Sequence, residues 1–126
     1  MSCGALRGVA ADYADSGRAV AEKVAVRECE YGILLCNGTG ASIAANKVPG
    51  VRAALCVDTF SARISKLANN ANVLVLSMRL CGDMLAREII DEWLATAPST
   101  EPHRVAFHRK VDELDAFYRK GPPSRS

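Results

Sequence analysis

Apolar residues along this chain come in two rhythms. Three short runs, 31–36 (YGILLC), 51–56 (VRAALC) and 72–77 (NVLVLS), are nearly continuous and are bounded by charge, glycine or asparagine. Such runs predict strands buried on both faces of a sheet. Elsewhere the apolar positions recur every three or four residues, which predicts helices. One helix covers 15–29, with Ser16 as its cap and Val20 and Val24 on one face. A short one covers 40–47 and is stopped by Val48-Pro49-Gly50. A third starts at Asp58 or Thr59 and runs through 60–70, with Phe60, Ile64 and Leu67 inward. Asp83 caps a fourth over 84–97, where Leu85, Ile89 and the core residue Trp93 recur. Beyond Pro98 the last helix, 101–118, carries Phe107, Val111, Leu114 and Tyr118 on one stripe and Arg109, Lys110, Glu113 and Asp115 on the other side. A stripe of that kind needs cover, from the sheet or from a second subunit.

Strands alternating with helices imply crossovers and a parallel sheet, hence an α/β fold. Three strands are few for a sheet covered on both faces, and residues 5–10 (ALRGVA) would have to supply a fourth. The 126 residues suit one domain, placed at 1–120, with 121–126 as a disordered tail. Apolar residues make up 49% and charged ones 24%, a globular balance. The net charge of +2 is too small and too scattered to argue for nucleic acid. No apolar run approaches the ~20 residues of a membrane helix. The five cysteines are widely spaced and include no C-x-x-C pair. That argues against a metal site or disulfide framework and for reduced thiols, as in a cytoplasm.

Ligands of open parallel sheets bind at the carboxyl ends of the strands. The first strand ends there in Cys36, followed by Asn37-Gly38-Thr39-Gly40-Ala41-Ser42 and a helix. Two glycines let the turn fold tightly and bring N–H groups close to a bound group. The helix start behind them favours an anion or a developing oxyanion. The same field would make the Cys36 sulfur a better base or nucleophile if it points into the turn. A core cysteine before an ordinary turn is the plainer reading, and the residues alone leave both open. The dinucleotide fingerprint fails, because its third glycine would fall at Ile43, and no Gly-Lys-Ser/Thr follows for a P-loop. His103 and His108 lie near Arg104 and Arg109 at the start of the last helix. They form either a cationic cluster for a phosphate or a solvated helix face.

Residues 32–94, within a similarity that covers roughly 12 to 96, resemble the type B ribose-5-phosphate isomerase and galactose-6-phosphate isomerase group. The closest portion is 42–56 (SIAANKVPGVRAALC), and 12–15 (DYAD) is similar to the family's Asp-Tyr-Pro-Asp. The resemblance implies a Rossmann-like three-layer α/β/α fold with a parallel sheet, shortened at its front, plus the C-terminal amphipathic helix. It implies a homodimer with shared sites and no metal or organic cofactor. The implied reaction interconverts an aldose phosphate and a ketose phosphate through an enediolate. Cys36 would be the base, with Thr39 orienting it and the turn's N–H groups at Asn37, Gly38, Gly40 and Ser42 holding the charged intermediate. Asn69 would contact the sugar, and His103, Arg104 and Arg109 the phosphate. The chain departs from the family at several points: its turn is one residue shorter, Val57 and Ala68 stand where histidines are usual, and Pro102 precedes His103. These departures carry an alternative, a catalytically impaired member that binds a sugar phosphate or acts through its dimer surface. A third reading, a small phosphate- or nucleotide-binding module, rests on Gly38-Thr39-Gly40 alone.

Overall fold

The computed structural model describes residues 13 to 119. In chain order the elements are α1 (Tyr13–Ala25), β1 (Gly32–Cys36), α2 (Thr39–Asn46), β2 (Ala53–Leu55), α3 (Thr59–Leu67), β3 (Val73–Ser77), α4 (Asp83–Ala95) and α5 (Pro102–Arg119). The strands pair in the order β1-β3-β2, both pairings parallel, with Gly32 opposite Val73 and Cys36 opposite Ser77. A helix carries the chain back between successive strands, as parallel pairing requires. The strand expected at 5–10 and the tail at 121–126 lie outside the described residues.

Only β3 is buried throughout. It has a strand on each side and helices on both faces, so every side chain it carries is covered. Its alternate residues feed two cores. Val73 and Val75 pack with Leu34 of β1 against Val20 and Val24 of α1 and Ala41 and Ala45 of α2. Leu74 and Leu76 pack with Ile89 and Trp93 of α4 and Ala62 of α3. The result is three layers, α/β/α. β1 and β2 flank β3 and are only partly buried, against the expectation of full burial for all three strands. On the first face α1 and α2 approach closely at Gly17, where a Cβ would stand 2.8 Å from the Ala41 carbonyl oxygen.

Four expectations change. Ser16 lies inside α1, which begins at Tyr13, so it is not the cap. Gly82, not Asp83, is the N-cap of α4, and Asp83 contributes its charge to the first turn instead. α3 buries Ala62, Ser65 and Lys66, whereas Phe60 is exposed with the Arg63 guanidinium 5.7 Å over its ring. Periodicity gave the correct pitch there, but the facing helix α4 selects the neighbouring stripe. The thiols of Cys36, Cys56 and Cys81 are free, but Cys29 is held in a disulfide, so the expectation of reduced thiols fails at that position.

Lys66 is the least expected core residue, 1% exposed. Its ammonium donates to the Thr96 carbonyl at 3.1 Å and lies 4.0 Å from the Tyr31 ring centroid and 4.3 Å from that of Trp93. Burial pushes this lysine below its ordinary pKa, while Glu30 opposes the shift. Beside it, Trp93 Nε1 donates to Ser65 Oγ (3.1 Å), which donates to the Ala62 carbonyl (2.8 Å).

α5 crosses the amino ends of the strands and is held there by polar contacts. The Gly50 N–H donates to Asp115 (2.7 Å), Arg52 faces Asp112 at 3.7 Å, and His108 Nε2 lies 2.9 Å from the Ala68 carbonyl oxygen. The sheet does not cover its apolar stripe: Phe107 and Leu114 are exposed, and Tyr118 is 63% exposed.

Candidate active site

Three loops meet at the carboxyl ends of the strands, and they are finished differently. After β2, Asp58 caps α3, accepting from the Ser61 N–H at 2.6 Å, while the Ser61 hydroxyl accepts from the N–H groups of Val57 and Asp58. The Ser61 N–H holds the Asp58 carboxyl below its ordinary range. The start of α3 is thus satisfied by its own chain. Cys56, which closes the same strand edge, is 1% exposed, and burial pushes its thiol up.

After β1 the picture reverses. Gly38 is the N-cap of α2, with φ 111°, and offers no capping side chain. A Cβ there would stand 3.1 Å from both Leu55 Cδ1 and Ser77 Cβ, so glycine is required for conformation and for space. The first bond inside α2 runs from the Ser42 N–H to the Gly38 carbonyl. The N–H groups of Thr39, Gly40 and Ala41 precede it and have no partner within the helix. The Ser42 hydroxyl donates to the Thr39 carbonyl at 2.8 Å. Thr39, Gly40 and Asn37 are exposed, and Cys36 is half-buried at the end of β1, its carbonyl accepting from Met78 N–H at 2.8 Å. The half-buried thiol, the tight turn and the uncapped helix start form one contiguous group.

The other expected site residues lie elsewhere. Asn69 is exposed and follows the end of α3, so it sits at the amino ends of the strands. A five-residue strand separates that end from Cys36 by roughly 16 Å. His103 and Arg104 both turn to Glu101, at 3.6 and 3.8 Å, and Arg109 is exposed on α5. A single chain therefore presents two groups at opposite ends, Cys36 to Ser42 at one and Asn69 with the α5 residues at the other. A cavity of about 700 Å³ also lies at the amino ends, lined by Arg27, Arg52, Asn70, Asn72 and Asp112 among others. Arg52 is already engaged there with Asn70, Gly50 and Asp112. Among the described residues no trio of His, Cys, Asp or Glu is placed to hold a metal, and no helix is long and apolar enough to cross a membrane. Lys66 was not singled out by the sequence, and Ser77 was noted there only as the end of the third strand. Ser77 looks like any strand end until the strand order makes it the neighbour of Cys36.

The profile of the ribose/galactose isomerases matches residues 1–113. This chain belongs to that family. It is 45% identical over 84 residues to ribose-5-phosphate isomerase B of Escherichia coli, which covers 66% of this chain and 56% of that one. It is 46% identical over 106 residues to D-erythrulose-4-phosphate isomerase 2 of Mycolicibacterium smegmatis, covering 83% and 68%. The structure of type B ribose 5-phosphate isomerase from Trypanosoma cruzi superposes with a TM-score of 0.85 at 44% identity, over 91% of this chain and 77% of that one. The fold is therefore the Rossmann-like one the sequence resembles. The chain spans little more than half the length of the E. coli relative.

Proposed function

We propose that this member of the sugar-phosphate isomerase family interconverts an aldose phosphate and a ketose phosphate, ribose 5-phosphate and ribulose 5-phosphate, with Cys36 as the base. The observation that carries the reading is the uncapped start of α2 directly behind the half-buried Cys36 thiol. The Cys36 thiolate takes the proton from C2 and returns it to C1 through an enediolate, as a general base and then acid. The free N–H groups at the start of α2 face the oxygen that becomes negative, a fixed electrostatic stabilisation that needs no reorganisation. Thr39, exposed on the same turn, would orient the sugar or the thiol.

Asn69, His103, Arg104 and Arg109 would bind the sugar and its phosphate, with the arginine forks matching phosphate oxygens. They lie a strand's length from Cys36 within one chain, so the reading needs a second copy to bring its own set to this turn. The uncovered stripe of α5 and the exposed Phe60 supply apolar surface for such a homodimer. The same reading puts the protein in the cytoplasm, and the disulfide at Cys29 is the feature that argues the other way.

A coupled assay with ribose 5-phosphate tests the base. Cys36→Ala should lower kcat by roughly 10²–10⁴-fold with the fold intact. A variant that keeps full activity removes Cys36 from the mechanism. Erythrose and galactose phosphates in the same assay rank the substrates. Sizing in solution tests sharing: full activity from a monomer rejects it. Val57, exposed at the end of β2 and unable to move a proton, favours a second reading, an impaired member that binds sugar phosphate without turnover. No turnover together with a rise in Tm on adding ribose 5-phosphate would support that reading.

A further inference from the structure

Ser77 ends the central strand and stands in register with Cys36. Register partners on adjacent parallel strands point to the same face of the sheet, about 5 Å apart. Two residues back, Leu34 and Val75 pack into the α1/α2 core, so Cys36 and Ser77 share that face. Gly38 lies directly over this pair, since a Cβ on it would stand 3.1 Å from Ser77 Cβ. Ser77 is therefore the floor of the turn, with the Cys36 side chain beside it.

The Ser77 side chain is 2% exposed, and its hydroxyl bonds to none of the described residues, while its backbone carbonyl accepts from Leu80 and Cys81. No fully enclosed side-chain oxygen or nitrogen among the described residues lacks a partner. The sliver of Ser77 that stays accessible thus includes its hydroxyl. A hydroxyl held in a core costs stability unless it bonds to something. Ser65, the other buried serine, shows how this chain satisfies one: it donates to Ala62 and accepts from Trp93.

We propose that Ser77 is a positioning residue for the isomerisation, its hydroxyl donating a hydrogen bond to the Cys36 sulfur when the sulfur is ionised. The proposal rests on Cys36 as the base. Rotation about one side-chain bond brings the hydroxyl of a register partner within reach of the neighbouring sulfur. An O–H···S⁻ bond is charge-assisted and favours the thiolate over the thiol. It also fixes the sulfur toward the open end of the turn, where the start of α2 holds the substrate oxygen. No proton leaves Ser77 in this step; it acts through Cys36 alone.

Ser77→Ala tests the proposal, because the variant removes only the hydroxyl. Three quantities are measured: kcat and KM with ribose 5-phosphate, the iodoacetamide alkylation rate of Cys36 at neutral pH followed on its own peptide, and Tm. The buried Cys56 and Cys81 serve as slow internal references. The expected result is a kcat lowered roughly tenfold, a KM within about twofold, and alkylation slowed several-fold, as loss of a hydrogen bond to a charged group implies. Tm stays level or rises, since an idle buried hydroxyl has gone. Alkylation within about twofold of the parent overturns the proposal, whatever happens to kcat. A marked fall in Tm also overturns it, because it assigns Ser77 a structural bond instead. If Cys36→Ala keeps full activity, the base reading fails separately, and the alkylation rate still decides whether Ser77 acts on the sulfur.

Discussion

The Trp93 region and the Cys36 region both bury polar atoms against an apolar core, and they treat them in opposite ways. Around Trp93 each buried polar side chain has a partner: the indole N–H reaches Ser65, Ser65 reaches Ala62, and the Lys66 ammonium reaches Thr96 between two aromatic rings. Around Cys36 the N-cap is a glycine, the first amides of α2 have no partner within the helix, and the Ser77 hydroxyl bonds to nothing described. The first arrangement locks α3 to α4. The second spends local stability to leave donors facing outward.

The comparison breaks most sharply at Trp93. Trp93→Ala should remove about 3–5 kcal/mol of unfolding free energy in urea, from a ring with no exposure and from the stranded Ser65 and Lys66. The remaining folded fraction should keep its KM for ribose 5-phosphate, because no Trp93 contact reaches the turn. A shifted KM would mean that the two regions are coupled. Gly38→Ala is the counterpart at the other end. Its left-handed backbone and the close Leu55 and Ser77 side chains predict a loss of about 1–3 kcal/mol in the same titration. Here kcat/KM should fall as well if the turn carries the proposed chemistry. Stability lost with activity kept would make the turn purely architectural.

The smallest effect lies in pH. Burial holds Lys66 below its ordinary pKa of 10.5 when folded. Between its folded and unfolded values the unfolded chain binds more protons, so stability rises with pH across that window. Lys66→Met removes this contribution. The parent should therefore gain on the variant as pH is raised toward the ordinary lysine value of 10.5, read as the difference in urea midpoints. Parallel curves would show that the ammonium is not desolvated by its two rings.

Much of this was legible from periodicity and punctuation. The three apolar runs became the three strands, the Asp58 cap stands where one of two neighbouring candidates placed it, and Ile89 and Trp93 are buried without exposure. The failures share one cause. Periodicity tells which residues of one element share a face, and says nothing of what the face meets. Phe60 and Lys66 exchanged roles because α4 approaches one flank of α3, and a lysine stem can lie along apolar surface while its head finds a carbonyl. Asn69, matched to the sugar by resemblance alone, follows α3 and lies at the amino ends of the strands, a location that periodicity does not give. The partnership of Ser77 with Cys36 depends on strand order, which no local pattern encodes.

The way α5 is attached has a consequence for how such a protein can change. None of its side chains belongs to either apolar cluster, and its grip on the body runs through polar contacts to Gly50, Arg52, Ala68 and Asn46. Drift in its exposed stripe can therefore alter the outer surface without touching the apolar clusters. The outward face of α5 and the apolar clusters are written in separate stretches of the chain, which leaves evolution free to revise the first while conserving the second.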